Sequence, residues 1–223
     1  MTRHSATAAV LIALFGGMSP VAAQQPARGR PQAAARAFEI GGYGTVGRLN
    51  LTAADTFEAV LGKHAGPILG GGITIGLPLG GLYVEAGAWR FKEDGQRVFL
   101  AGGQVFELGV PLTVTLTPIE VTAGWRFRQR GARIVPYAGA GITSTRYREA
   151  AGFAGAGDDV DERFSGYHFI GGVQLKIRRW LGFGGEVVWT TTPDALGTGG
   201  VSRAFGDDDL GGTSVRGKIT IGR

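Results

Sequence analysis

GYHFIGGVQLKIRRWLGFGGEVVW, residues 166–189, decides the fold. Before Arg178-Arg179-Trp180, the residues Tyr167, Phe169, Val173, Leu175 and Ile177 fall on one face, and His168, Gln174 and Lys176 on the other. After it, Leu181, Phe183, Val187 and Trp189 oppose Glu186. A period of two belongs to a strand, whose successive side chains point to opposite faces. Two such runs across so short a gap read as a hairpin.

The same reading extends outward in both directions. Strands are predicted at about 37–47, 67–77, 81–92, 111–128, 134–148, 164–177, 181–192 and 212–222, with room for the second to fourth to run longer at the loop end. In the fourth, Ile119, Val121, Ala123, Trp125 and Phe127 oppose Glu120, Thr122 and Arg126; in the eighth, Val215, Ile219 and Ile221 oppose Arg216 and Lys218. The gaps LPLGG (77–81), RQRGAR (128–133) and RRW (178–180) are short, whereas 48–66, 92–110, 149–163 and 193–211 are long and polar. Short and long connections in alternation are the pattern of an all-β, eight-stranded antiparallel up-and-down transmembrane β-barrel.

A barrel in water turns its apolar face inward, and one in lipid turns it outward. The faces opposite the apolar rows carry charge that an apolar core would not tolerate, so the apolar rows are expected to face lipid. Tyr43, Tyr83, Trp89, Phe91, Trp125, Phe127, Tyr147, Tyr167, Trp180 and Trp189 lie near strand ends and are expected to form interfacial girdles. Four acids fall within predicted strands: Glu39, Glu85, Glu120 and Glu186. With Arg126, His168, Lys176, Arg216 and Lys218 they are the candidates for a lumen network, because buried charge must be paired and a barrel of eight strands is narrow enough for side chains to fill; for Glu39 and Lys218 a place at a solvent rim is equally open.

The N-terminus reads as a separate piece. Arg3 and His4 precede an apolar run at about 9–18, and Val21-Ala22-Ala23 precedes Gln24, as in a secretory signal peptide over residues 1–23. Residues 24–36, QQPARGRPQAAAR, form a flexible tail, and 37–223 the barrel. Cysteine is absent, so an exported chain relies on ladder closure and packing in place of disulfides. The 41 glycines have no three-residue period and run through the strands, which points to close packing in a narrow barrel.

The net charge of +5 has no single patch to carry it. Fourteen of the eighteen acids lie in the long gaps, and the bases collect in the tail and the short gaps. The chain is thus polarised end to end, and nucleic-acid binding is not expected.

PYAGAGIT (136–143), GYHFIGGVQLKIRRWLGFGGEVVW (166–189) and GGTSVRGKITIG (211–222) together resemble the small outer-membrane β-barrel domain family of OmpA- and OmpX-like proteins. The resemblance covers most of 37–223. It implies residence in a Gram-negative outer membrane, both termini in the periplasm, outer-membrane lipid and lipopolysaccharide around the barrel, and a barrel-assembly machinery during insertion. It supplies no catalytic residue and no cofactor. A monomer with a structural or interaction role is expected, the long acidic loops facing outward.

Other motifs carry less. GYGTVG (42–47) fits a dinucleotide fingerprint but lacks the helix and the distant acid that such a site needs, so no cofactor is expected. Asn50-Leu51-Thr52 is a sequon in an exposed loop. AADTFEAVLG (53–62) has helical spacing and could rest on the barrel mouth, with Asp55 or Thr56 as its cap. Asp158, Asp159, Asp161, Asp207, Asp208 and Asp209 are weak candidates for a divalent cation, because hard cations take oxygen ligands; solvated loops explain such runs better. An enzyme would need a nucleophile beside a base, and His64 and His168 have no serine at a telling spacing among Ser144, Ser165 and Ser202. A small pore or a carrier of a lipid or small ligand is the alternative function, and a lipid-modifying enzyme comes after it.

Overall fold

The computed structural model describes residues 38–102, 104–128, 131–152, 160–197 and 200–222. The predicted signal peptide and tail, and Asp158 and Asp159, lie outside the described residues. Eight strands follow in chain order: β1 (Glu39–Leu51), β2 (Ala65–Gly76), β3 (Leu82–Ala101), β4 (Gln104–Arg126), β5 (Ile134–Ala151), β6 (Val160–Arg178), β7 (Leu181–Thr191) and β8 (Gly212–Gly222). Each pairs antiparallel with the next, and β8 closes on β1 through a ladder running from Gly41↔Gly222 to Leu51↔Gly212. Two short helices stand at the long-loop end, α1 (Ala54–Leu61) and α2 (Gly200–Phe205). No described helix is long and apolar enough to cross a membrane.

The wall is inside out relative to a water-soluble barrel. Ile40, Val46, Leu69, Ile73, Ile119, Ile142, Phe169, Val173, Val187, Val215, Ile219 and Ile221 are exposed on its outside, while Glu85, Glu120, Glu186, Arg126, Arg216 and Lys218 are buried within. Water would leave the apolar wall unsatisfied, and lipid does not, so the strands cross a membrane. GYGTVG lies wholly within β1, and its glycines are strand residues.

Two expectations are corrected. First, residues 92–110 are not a loop. The ladder of β3 and β4 continues past the bulge at Gln96/Val98 to Ala101↔Gln104. Val98, Phe99, Val105 and Phe106 supply the β-branched and aromatic residues that favour pairing. At 20 and 23 residues these strands far exceed the roughly 9–11 a membrane needs, so polar residues occupy the part outside lipid and read as a loop. Strands β5 and β6 likewise run on to Ala151 and back from Val160.

Second, half of the expected girdle lies inside. Tyr83, Trp89, Phe91 and Tyr147 are buried, and Tyr43 packs its ring under Lys218 Nζ, 4.1 Å from the ring centroid. Trp125, Phe127, Tyr167, Trp180 and Trp189 remain on the outside, where Phe169 stacks on Trp189 at 5.8 Å. The glycines make room for the inward rings. A Cβ at Gly87 would stand 2.1 Å from the Tyr43 hydroxyl, one at Gly124 2.6 Å from that of Tyr83, and one at Gly141 2.7 Å from the His168 ring. A large ring opposite a bare backbone lets eight strands close around aromatic side chains.

The interior has two layers. Toward the long-loop end, Leu49, Leu51, Ile68, Trp89, Phe91, Leu112, Val114, Leu116 and Tyr147 form an apolar cluster with Phe57 and Leu61 of α1 and with Ala195 and Leu210 of the last loop. The helix expected at 53–62 therefore closes this mouth. It ends at Gly62, whose left-handed φ of 70° lets its N–H reach the Glu58 carbonyl. Its N-terminus is held from across the chain, since the Asp207 carboxylate accepts from the Thr56 N–H (3.0 Å) and hydroxyl (2.6 Å). Below lies the charged layer.

Candidate functional site: the charged lumen

Inward parity on β3, β4, β7 and β8 brings three carboxylates to the barrel axis with two of the three cations. Arg216 forks onto Glu120, donating from two nitrogens to its two oxygens at 2.9 Å each. The Trp89 indole donates to the same carboxylate at 2.7 Å, and Arg216 Nε donates to Ser214 Oγ at 2.9 Å. Lys218 bonds Glu85 and, at 3.3 Å, Glu186. Tyr137 donates to Glu186 at 2.7 Å. Arg216 Nη1 also stands 3.9 Å from Glu186, which ties the two halves together. Arg126 donates to Thr74 at 2.6 Å and covers the Tyr83 ring at 4.7 Å. Among the described residues three buried cations thus match three buried carboxylates, the condition under which charge is tolerable away from water.

His168, only 1% exposed, sits between Thr122 (2.8 Å from Nε2) and Thr143 (2.8 Å from Nδ1). A neutral imidazole satisfies both, donating to one hydroxyl and accepting from the other. Ser144 and Ser165, the nearest candidates for a nucleophile in the chain, pair with each other on the outward face of β5 and β6. His64 instead lies beside Glu58 at the mouth, 2.5 Å away. The space left among Tyr83, Glu85, Arg126, Tyr137 and Lys218 is a void of about 10 Å³, room for about one water.

The structure places seven of the nine lumen candidates, Glu85, Glu120, Arg126, His168, Glu186, Arg216 and Lys218, in the buried interior. Glu39 and Lys176 sit instead at the short-turn mouth, Glu39 engaged through both oxygens by Arg128. Glu39 is the first residue of β1, and Lys176 lies near the end of β6, so correct parity still leaves them at the rim. Sequence reading missed Tyr43, Tyr83, Trp89, Tyr137 and Thr143 as lumen residues, while Thr122 was read on the inward face with Glu120. Spacing of two from Glu85 was the available signal for Tyr83.

Of the acidic residues considered for a cation, the described ones, Asp161, Asp207, Asp208 and Asp209, all bond within the chain. Asp209 accepts from the Thr192 N–H and the Gly211 N–H at 2.7 Å each, and Asp207 holds α1. The backbone carbonyl of Asp208 accepts from the N–H groups of Ala195 and Leu196. No group of three or more metal-binding side chains occurs among the described residues.

Asp161 accepts from Arg146 Nε (2.7 Å) and Arg148 (2.9 Å) on the part of β6 beyond the girdle. These guanidiniums hold its carboxyl well below the ordinary 3.8. A carboxylate depressed in the folded state contributes its pairing above the ordinary value and loses it as pH falls through the folded one. A carboxyl titration by NMR is expected to find Asp161 still ionised at pH 3.8, and a midpoint at or above that value contradicts the pairing.

No protein-family model matches the chain, and no curated protein matches it. Solved structures do. A major outer membrane protein of Thermus thermophilus matches with a TM-score of 0.57 at 9% identity, over 84% of this chain and 100% of that one. Neisserial surface protein A matches with a TM-score of 0.52 at 12% identity, over 82% and 96%. The N-terminal β-barrel domain of Pseudomonas aeruginosa OprF matches with a TM-score of 0.50 at 8% identity, over 82% and 97%. At such identities the likeness is one of fold, and the fold of this chain is the small β-barrel of outer-membrane type.

Proposed function

We propose that this protein is a non-enzymatic resident of the outer membrane, with a plugged lumen and a role exerted through its long-loop face. The observation that carries this reading is the matched charge layer beneath an apolar cap. A conducting pore needs a continuous wet path, and here side chains take that space. The short turns face the periplasm, and the long strands and helices stand outside. Outer-membrane lipid and lipopolysaccharide surround a monomeric barrel, delivered by the assembly machinery that inserts such folds. His168, held by Thr122 and Thr143, belongs to the plug.

In planar bilayers the refolded chain is expected to stay electrically silent. Steady single-channel conductance overturns the plugged reading in favour of a small pore.

A further inference from the structure

The mouth on the short-turn side is unlike the sealed one. It opens into a cavity of about 820 Å³ whose lining includes Glu39, Arg126, Arg128, Lys176, Arg178 and Arg179. That volume falls within the roughly 300–1,000 Å³ of small-molecule sites. The charge there does not balance. Glu39 is the one carboxylate in the lining among the described residues, and Arg128 takes both of its oxygens. Arg126 forms the floor and completes the lumen's balance. The side chains of Lys176, Arg178 and Arg179 have neither an ion pair nor a hydrogen bond among the described residues. The chain preceding Phe38 has no acid to offer, only Arg3, Arg28, Arg30 and Arg36. Gln174, bonded to Thr220 at 2.7 Å, adds a polar wall, and Trp180 and Leu181 add an apolar lip.

From these observations we infer that this basin binds a small polyanion, a soluble molecule bearing two or more phosphate or carboxylate groups. A concave cationic site with low-dielectric walls focuses its field on such a ligand. Guanidinium groups match either oxyanion, and Lys176 adds a point charge. The inference goes beyond the proposed function and does not require it. A silent barrel and a conducting one can both hold an anion at this mouth.

The test is calorimetric titration of the full chain, refolded in detergent, with inorganic pyrophosphate and separately with citrate. Both are expected to bind saturably and to compete, because the basin reads oxyanion charge. Lys176→Ala and Arg178→Ala are expected each to weaken pyrophosphate about tenfold, the loss of one charge-assisted contact, while Lys176→Arg retains binding. Arg203→Ala, in α2 at the opposite end, is expected to leave it unchanged. These rim side chains lie outside the buried network, and circular dichroism checks that each variant is folded. Absence of saturable binding to the unaltered chain overturns the proposal. So does failure of citrate to compete, or equal weakening by Arg203→Ala, which would reduce the effect to overall charge.

Discussion

Glu120→Ala is expected to destabilise the barrel by about 3–5 kcal/mol, the range for removing one partner of a buried ion pair. Arg216 is only 4% exposed, and it would lose both of its bonds to that carboxylate. The Trp89 indole N–H would lose its acceptor as well. Much of the effect is the cost of an unpaired charge, so adding Arg216→Met should restore part of the loss. Replacing a buried pair with apolar groups is often close to neutral. Urea unfolding in detergent, followed by tryptophan fluorescence, measures the single and double variants. A loss below about 1 kcal/mol, the level of a solvent-exposed pair, would show that the network is hydrated and does not hold the barrel.

Phe57→Ala is expected to have an effect of similar size at the opposite mouth, about 3–5 kcal/mol for truncating a fully buried aromatic ring. Phe57 is 2% exposed and belongs to the apolar cluster that joins α1 to the upper wall. The ring carries the docking of an eight-residue helix, too short to be stable alone. The variant should therefore show faster proteolysis within 54–61 along with a lower unfolding midpoint. Unchanged proteolysis would mean that the Thr56–Asp207 contact holds the cap without the ring.

What could be read from the sequence was whatever the period of two determines. Glu120, Arg126, Arg216 and Lys218 oppose apolar rows in β4 and β8, and parity alone puts them inside. Parity does not give height along the axis, and so Glu39 and Lys176 read as lumen residues although they stand at the rim. Aromatic residues were harder. A tyrosine near a strand end suits a lipid interface or a glycine-lined interior equally, and only contacts inside the barrel, such as the Tyr43 hydroxyl reaching over Gly72 to Gly87, separate them. Residues 92–110 were hidden for another reason. A charged run, Lys92 to Arg97, is followed by the consecutive apolar run Val98 to Ala101 and a glycine pair, so the alternation that marks a strand is missing there. Asp207 and Asp209 show the limit for acidic clusters, since the same carboxylates can bind a cation or hold the chain's own N–H groups.

The origin of the lumen charges along the chain bears on how the barrel forms. Its three carboxylates come from β3, β4 and β7, whereas Arg216 and Lys218, which neutralise them directly, both belong to β8. A partial sheet lacking the last strand would hold those three negative charges with Arg126 alone nearby. Addition of β8 to β7 and charge compensation therefore go together, since Glu186 and Arg216 are ladder partners. An intermediate without β8 suffers electrostatic repulsion that the complete barrel does not. The final strand acts as both hem and counter-ion.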